Sequence, residues 1–294
     1  MKLAIAATPK VAIPTIEELQ KHHQVTIVTQ PDRPAGRGKL MRPSEVAQKF
    51  PLALKPENES DLQAILQGSD LLITIGYGRI LRDTTLQIPR FGGINLHFSL
   101  LPKWRGAAPV QRAIEAGDEK SGVTVFQMDA GMDTGPIWQQ IDYVIPHGAN
   151  SNDLFEGLSI LGVEAVKRTL LDIENGAKPR PQQGLATIAK KVEKVECVID
   201  WNRSAVEIWQ KIRAFGANPG VSSTIRGSRI KIVEVKPLTS STLDLPAGSL
   251  TEDGLVSTGD GALQLIKVLP AGKNEMTAKD WLNGLKLKPG ELFE

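Results

Sequence analysis

Short apolar runs separated by helical patterns fill the first half of the chain. Such alternation of strand and helix is typical of a mostly parallel sheet with helices on its faces. We therefore expect an α/β domain here, with a later pair of strands and one long closing helix. The candidate parallel strands are Leu3–Ala7, Val25–Thr29, Leu71–Ile75 and Gly93–Leu96. The other predicted elements are helices at Thr15–His22, Asp61–Leu66, Gly106–Ala116 and Asn152–Asn175, and strands at Val123–Met128 and Ile137–Ile145.

The pattern changes after the long helix. Proline and glycine, and then alternating charges, indicate a connecting segment that ends before a helix at Ser204–Ala214. The short alternating strands that follow, separated by glycine-containing turns, favour a small β-barrel. We predict domains at 1–186 and 205–294, joined by a linker at 187–204. The predicted barrel strands are Val221–Ile225, Ile230–Val235, Leu255–Thr258 and Ala262–Val268.

Composition agrees with two domains and narrows the class of protein. The chain has 294 residues, 41% hydrophobic and 23% charged, which is typical of a globular protein of that size. No apolar run reaches the roughly 20 residues of a membrane helix. Cys197 is the single cysteine, and no His and Cys cluster has metal-ligand spacing. We expect a cytoplasmic monomer that binds neither a metal nor a membrane.

Two common nucleotide-binding signatures are absent from the sequence. The opening strand leads into Ala6-Ala7-Thr8-Pro9 and not into a G-x-G-x-x-G turn. No G-x-x-x-x-G-K-[ST] run occurs either. These absences count against a dehydrogenase and against an enzyme that binds ATP in the usual way.

The segment Asn95-Leu96-His97-Phe98-Ser99-Leu100-Leu101-Pro102 begins at the end of a predicted central strand. Ligands of open parallel sheets sit at that carboxyl edge. Asn95 and His97 are two apart on a strand, so an amide and an imidazole share one face. A histidine satisfied within the core and an asparagine that caps a backbone group are the alternatives.

A second segment, Met128-Asp129-Ala130-Gly131-Met132-Asp133-Thr134-Gly135-Pro136, is a glycine-bracketed loop between two predicted strands. Such a loop can present a carboxylate to a cleft. Taken singly, Asp129 and Asp133 would more often be turn residues that bond their own backbone.

Together the two segments resemble the folate-dependent formyltransferase family, whose pattern N-x-H-x-S-L-L-P precedes an acidic D-x-G turn. The resemblance covers nearly the whole chain and implies a Rossmann-like catalytic domain followed by an OB-like barrel. It maps the catalytic trio onto Asn95, His97 and Asp133. It implies 10-formyltetrahydrofolate as formyl donor, held between the Gly76–Leu81 turn and the acidic loop, although Tyr77 could equally be ordinary packing. The implied folate-binding residues are Tyr77, Gly78, Ile80, Ser99, Leu100, Leu101, Pro102 and Asp129.

The chemistry requires donors near the formyl oxygen, because an attacking amine makes that oxygen negative. We expect Asn95 to donate through its amide and His97 to donate as an imidazolium. Asp133 would keep His97 charged, because a nearby carboxylate raises the pKa of an imidazole. It could also accept the proton of the amine, directly or through a water.

The segments Lys103–Pro109 and Gln30–Gly38 resemble the branch of the family that formylates methionyl-tRNA. The Gln30–Arg42 loop holds several cations against one acid, Asp32, and its prolines and glycines predict no regular element. Methionyl initiator tRNA is the implied acceptor, with the barrel assisting. A solvated loop and a solvated charged helix face are the alternatives. The implied tRNA-binding residues are Arg33, Arg37, Lys39, Arg42, Lys190 and Lys191.

Two rival functions stay open at this point. A formyltransferase acting on a small amine, such as a nucleotide sugar or a purine precursor, would use the same trio without needing the basic loop. A non-catalytic nucleic-acid binder built on the barrel should carry stacking aromatics and a positive excess, whereas the net charge is only +2.

Overall fold

The computed structural model describes residues 1–35, 40–216, 219–238, 243–288 and 290–294. The chain divides into two compact units, each described separately below. The N-terminal unit comprises Met1–Pro109, Lys120–Ile145 and Leu154–Ala189. The C-terminal unit comprises Val110–Glu119, Pro146–Asp153 and Lys190–Glu294.

A six-stranded sheet forms the centre of the N-terminal unit, in the order β2-β1-β5-β6-β8-β9. The first four of these strands pair in parallel, and β8 and β9 continue the sheet antiparallel. The strands of this unit are β1 (Lys2–Ala7), β2 (Gln24–Val28), β3 (Arg33–Ala35), β4 (Leu40–Arg42), β5 (Leu71–Ile75), β6 (Gly93–His97), β7 (Arg105–Gly106), β8 (Lys120–Gln127), β9 (Ile137–Val144) and β10 (Ile188–Ala189).

The burial of the strands explains the apolar runs from which they were predicted. Every residue of β5 is buried, as expected for a parallel strand covered on both faces, which reads as a continuous apolar run. The predicted parallel strands and the mostly parallel sheet are confirmed. The α-helices among the described residues are α1 (Ile13–Gln20), α2 (Glu45–Lys49), α3 (Glu59–Leu66), α4 (Asp83–Leu86), α5 (Pro109–Glu115), α6 (Ser151–Glu174), α7 (Ala205–Phe215) and α8 (Ala278–Leu285).

The basic loop contains regular structure, contrary to the sequence expectation. Strands β3 and β4 form an antiparallel pair in which Arg33 lies opposite Arg42. Proline is tolerated on such an edge pair because a short exposed ladder leaves some N–H groups without a required partner. The expectation that prolines and glycines prevent any element was therefore wrong for the ends of this segment. Residues 36–39 lie outside the described part of the chain.

The segment after α6 stays in the N-terminal unit as far as Ala189. Arg180 exchanges backbone hydrogen bonds with Ile137, and β10 pairs in parallel with β7. A 3-10 helix at Lys194–Cys197 follows in the C-terminal unit. The segment predicted as a linker at 187–204 thus contains two short elements.

A five-stranded β-sheet dominates the C-terminal unit, in the order β11-β12-β14-β13 with β15 beside β14. Helix α7 begins with a capping box between Ser204 and Glu207, which satisfies its first N–H groups. The helix buries Ile208, Ile212 and Phe215. No helix within the described residues is long and apolar enough to cross a membrane. The strands are β11 (Val221–Ile225), β12 (Ser228–Leu238), β13 (Leu255–Ser257), β14 (Ala262–Pro270) and β15 (Met276–Thr277).

Candidate active site

Asn95 lies on β6, beside the fully buried strand β5. Its side-chain Nδ2 donates to Thr74 Oγ1 at 2.8 Å, and Thr74 is the residue opposite it on β5. One of the two amide hydrogens is thereby fixed, and the amide plane with it. Sequence reasoning missed Thr74, although it is the one hydroxyl in the otherwise apolar run of β5.

His97 ends β6 and is buried, with 7% of its side chain exposed. Its Nε2 lies 2.8 Å from the carbonyl oxygen of Trp104. A carbonyl can only accept, so this nitrogen carries the hydrogen. The other nitrogen, Nδ1, lies 3.7 Å from Asp133 Oδ2, and Phe126 packs edge-on to the ring. The Nδ1 side of the ring therefore faces the carboxylate.

Burial lowers the pKa of His97 below its ordinary value, and the carboxylate of Asp133 offsets this only in part. Removal of the ring from water disfavours its charged form, which is the larger effect at this depth. The expectation that Asp133 keeps His97 an imidazolium was wrong for this geometry. Burial therefore favours the neutral form of the imidazole.

Asp133 occupies the loop between β8 and β9, and its Oδ2 accepts the Gly106 backbone N–H at 2.7 Å. Its backbone is left-handed, with φ 55°. Asp129, on the same loop, is exposed and accepts from the Gly131 N–H and the Thr134 hydroxyl. The loop therefore points Asp133 at His97, whereas Asp129 bonds its own turn.

Hydrogen bonds and apolar contacts hold the loop that follows His97. Ser99 is buried and donates to the Lys103 carbonyl at 2.6 Å, so its hydroxyl shapes the loop. Thr124 donates to the Ser99 carbonyl and accepts from the Leu101 N–H. Leu101 packs with Phe126 in a small apolar cluster. Pro102 is buried and Leu100 is half-buried.

The Gly76–Leu81 turn follows β5. Tyr77 is 3% exposed and its ring packs in the core with Leu62 and Leu66, so the ring is a packing group. Gly78 and Ile80 are exposed, Ile80 to 95%. The Tyr77 carbonyl accepts from the Gln30 side chain, a residue that sequence reasoning passed over.

An open cavity of about 380 Å³ lies between α4 and the residues that begin the acidic loop. Thr74 links it to the trio, because its hydroxyl contacts both Met128 Sδ and Asn95 Nδ2. The volume is within the roughly 300–1,000 Å³ of small-molecule sites. The lining residues are Asp83, Leu86, Gln87, Pro89, Arg90, Gly92, Gly93, Gln127 and Met128.

The described cations of the β3–β4 pair, which we call the basic hairpin, are exposed. Arg33 and Arg42 face solvent on paired strands, and Arg33 donates to Gln30 Oε1 at 3.2 Å. Asp32 is the one acid in the Gln30–Arg42 segment. It forms an ion pair with Lys55, so its charge is not directed at these arginines. Arg37 and Lys39 lie outside the described residues.

Lys190 and Lys191 belong to the C-terminal unit, and both side chains are exposed. Their backbone carbonyls accept from the guanidinium of Arg112, at 3.1 and 3.3 Å. The same guanidinium pairs with Glu115 and Glu196. The backbone beneath these two lysines is thus anchored, while the ammonium groups extend into solvent. No group of three potential metal ligands occurs among the described residues.

Comparison with known proteins gives one consistent result. The formyl transferase family model matches residues 1–170, and the model for the formyl transferase C-terminal domain matches residues 191–286. A methionyl-tRNA formyltransferase of Dechloromonas aromatica is 36% identical over 310 aligned positions, which cover 100% of this chain and 99% of that protein.

Solved structures share the fold at lower identity. HypX from Aquifex aeolicus, in complex with tetrahydrofolic acid, has a TM-score of 0.70 and 19% identity over 98% of this chain, which spans 48% of HypX. An N-formyltransferase from Helicobacter canadensis, with folinic acid and dTDP-3-aminofucose, has a TM-score of 0.67 and 21% identity, covering 92% of this chain and 98% of that one.

Proposed function

Because this chain belongs to the formyl transferase family, we propose that it transfers the formyl group of 10-formyltetrahydrofolate to the amino group of methionyl initiator tRNA. The observation that carries the reaction is the buried His97 ring, bracketed by the Trp104 carbonyl and Asp133, with Asn95 on the same strand. The full-length relative that is 36% identical supports the acceptor.

Asn95 is the donor for the developing oxyanion. As the amine nitrogen bonds to the formyl carbon, the carbonyl electron pair moves onto oxygen. The Asn95 amide has a second hydrogen besides the one given to Thr74, and its plane is already fixed. A donor oriented in advance stabilises the new charge without reorganisation.

His97 accepts the proton of the attacking amine, and Asp133 stabilises the charge that results. The attacking amine becomes an ammonium when its nitrogen bonds to carbon, and neutral Nδ1 accepts one of its protons. Asp133 then stabilises the imidazolium that forms, since its Oδ2 lies 3.7 Å away. When the bond from the formyl carbon to the folate nitrogen breaks, Nδ1 returns that proton to the leaving nitrogen. No covalent enzyme intermediate is needed.

The folate would lie between the Gly76–Leu81 turn and the acidic loop, at the carboxyl ends of β5 and β6. Gly78 and Ile80 are exposed there and Leu100 is half-buried. The cavity beside Met128 is lined by residues that precede or begin β6 and by the end of β8, so none of the residues assigned to the folate lines it.

The acceptor meets the exposed cations. Arg33 and Arg42, together with Arg37 and Lys39 between them in sequence, would contact the acceptor end, and Lys190 and Lys191 would contact backbone phosphate. The proposal assigns catalysis to residues 1–186 and assistance in tRNA binding to residues 205–294. It includes a monomer acting in the cytoplasm, since charged tRNA is consumed where ribosomes work.

The test compares acceptors and variants of the full chain. Formylation should be efficient with methionyl initiator tRNA and negligible with a dTDP-linked amino sugar; the reverse preference would establish the small-amine alternative. Asn95→Ala, His97→Ala and Asp133→Asn should each lower turnover by about 100-fold or more. Asp142→Asn, on an exposed residue of β9, is the matched control. Near-normal turnover in a trio variant would remove that residue from the mechanism.

A further inference from the structure

The two residues that bracket His97 share an unusual backbone conformation. Trp104 has φ 63° and Asp133 has φ 55°, a left-handed region that residues with a Cβ seldom adopt. The Trp104 carbonyl fixes one ring nitrogen of His97, and the Asp133 carboxylate faces the other. Strained residues at a site persist only when surrounding contacts hold them.

Those contacts come from residues Gln182–Thr187, which we call the return segment. The Gln182 amide Nε2 donates to the carbonyls of Asp133 and Gly135, at 2.9 and 2.8 Å. At the other end, Thr187 Oγ1 accepts the backbone N–H of Trp104 at 2.9 Å. One side chain of the return segment therefore holds each left-handed residue.

Further bonds fix the return segment itself. Arg105 donates through Nε and Nη2 to Gln182 Oε1, at 3.2 and 2.7 Å. With its oxygen bound to a guanidinium, the amide of Gln182 must turn its NH₂ group to the acidic loop. The Thr187 backbone bonds to the Pro102 carbonyl and to the Arg105 N–H. These backbone hydrogen bonds fix the position of the Thr187 hydroxyl next to the Trp104 N–H.

We propose that Gln182 and Thr187 are positioning residues for His97, which act by holding Asp133 and Trp104 in the conformations that bracket its ring. The inference rests on the proposed role of His97 in proton transfer. Neither side chain bonds directly to His97, Asn95 or the Asp133 carboxylate. Their effect is on the direction of Nδ1 and on its separation from that carboxylate.

Three variants separate the contacts. Thr187→Val keeps the shape and removes the acceptor for the Trp104 N–H, whereas Thr187→Ser keeps the hydroxyl. Gln182→Glu keeps the contact with Arg105 and loses both donors to the acidic loop. We expect Thr187→Val and Gln182→Glu to lower kcat about 10- to 100-fold, since a displacement of about 1 Å can cost that much. The KM values for both substrates should stay within about twofold, and Thr187→Ser should restore most of the rate.

A spectroscopic measurement separates positioning from simple tethering. In ¹⁵N-labelled protein, His97 should show the neutral tautomer with hydrogen on Nε2, and the two damaging variants should change its tautomer balance or titration. Gln183→Glu, on the exposed neighbouring residue, should change neither rate nor spectrum. A lower melting temperature with unchanged His97 signals and unchanged kcat would overturn the proposal.

The outcomes also separate this inference from the proposed function. If the wild-type chain fails to formylate methionyl-tRNA, the function is wrong, yet the His97 signals still report whether the return segment sets the ring. If Thr187→Val does not fold, Gln182→Glu decides the matter, because its bond to Arg105 is retained.

Discussion

At His97, the identity of the partner at each nitrogen determines what the ring can do. The Trp104 carbonyl holds hydrogen on Nε2, and burial favours the neutral form of the ring. A neutral Nδ1 is a base, whereas the imidazolium expected from sequence would have been an acid. The carboxylate of Asp133 raises the pKa of His97, but by less than burial lowers it.

The pH dependence of the rate follows from these signs. Because burial lowers the pKa of His97, protonation of Nδ1 should reduce the rate of formyl transfer only below about pH 6.5, the ordinary value for histidine. The acceptor amine titrates separately, near its ordinary pKa of about 7.7–8.0, so the His97 decline is the one at lower pH. Asp133→Asn removes the group that raises this pKa, so its decline should begin at still lower pH, on a reduced plateau.

Single-turnover rates from pH 5 to 8 measure the decline at low pH in both wild type and Asp133→Asn. A rate that increases as pH falls would show that the charged ring is the active form. An acid limb that moves to higher pH in Asp133→Asn would contradict the assigned effect of the carboxylate.

Individual residues of the site were predictable to different degrees. Asn95 and His97 could be placed because they stand at the end of a buried strand with a spacing of two. Trp104 and Gln182 could not, because they act through a carbonyl and an amide that reach His97 and Asp133 across the fold. Backbone partners leave no signal in side-chain chemistry.

At the scale of elements, Gln30 joins the basic hairpin to the turn after β5. It is 3% exposed; its Nε2 donates to the Tyr77 carbonyl, and its Oε1 accepts from Arg79 and Arg33. One buried amide thus fixes the turn proposed for folate and the base of the hairpin proposed for tRNA. The two loops share an anchor.

Gln30→Met should loosen both loops, because the Tyr77 carbonyl keeps only the Thr8 hydroxyl as a donor and Arg79 and Arg33 lose their shared acceptor. Each lost hydrogen bond should cost about 0.5–1.5 kcal/mol in stability. We expect KM for the folate to increase about tenfold, the size of effect that about 1.4 kcal/mol gives, with a smaller effect on kcat. Steady-state kinetics and thermal melting measure this. Gln67→Met, at an exposed residue after α3, is the control, and an unchanged KM would separate Gln30 from the folate turn.

Long buried elements were predicted well and short exposed ones poorly. The parallel strands and α6 carry clear apolar periodicity, so their positions in the sequence match the structure. Strands β3 and β4 are three residues each, β3 contains Pro34, and α4 spans four residues. Such elements are stabilised by tertiary contacts, which local pattern does not record.

At the scale of the whole molecule, charge is nearly balanced, with 35 basic and 33 acidic residues. Affinity for a polyanion must therefore come from local groups of exposed cations. Truncation at residue 190 would be a poor test of the C-terminal unit, because that unit also contains Val110–Glu119 and Pro146–Asp153. Substitution of surface cations keeps every unit intact.

Lys190→Gln with Lys191→Gln tests the phosphate contacts, since Arg112 holds the backbone carbonyls of both lysines and not their side chains. Each phosphate contact contributes about 0.7–0.9 to the slope of log affinity against log salt. If both lysines bind phosphate, the double variant should reduce the slope for tRNA by about 1.4–1.8 and leave KM for the folate unchanged. The control is Lys279→Gln with Lys286→Gln, since both lysines are exposed and lie near the end of the chain. Equal slopes in wild type and the Lys190 and Lys191 variant, measured by filter binding between 50 and 200 mM salt, would mean that these lysines are merely solvated.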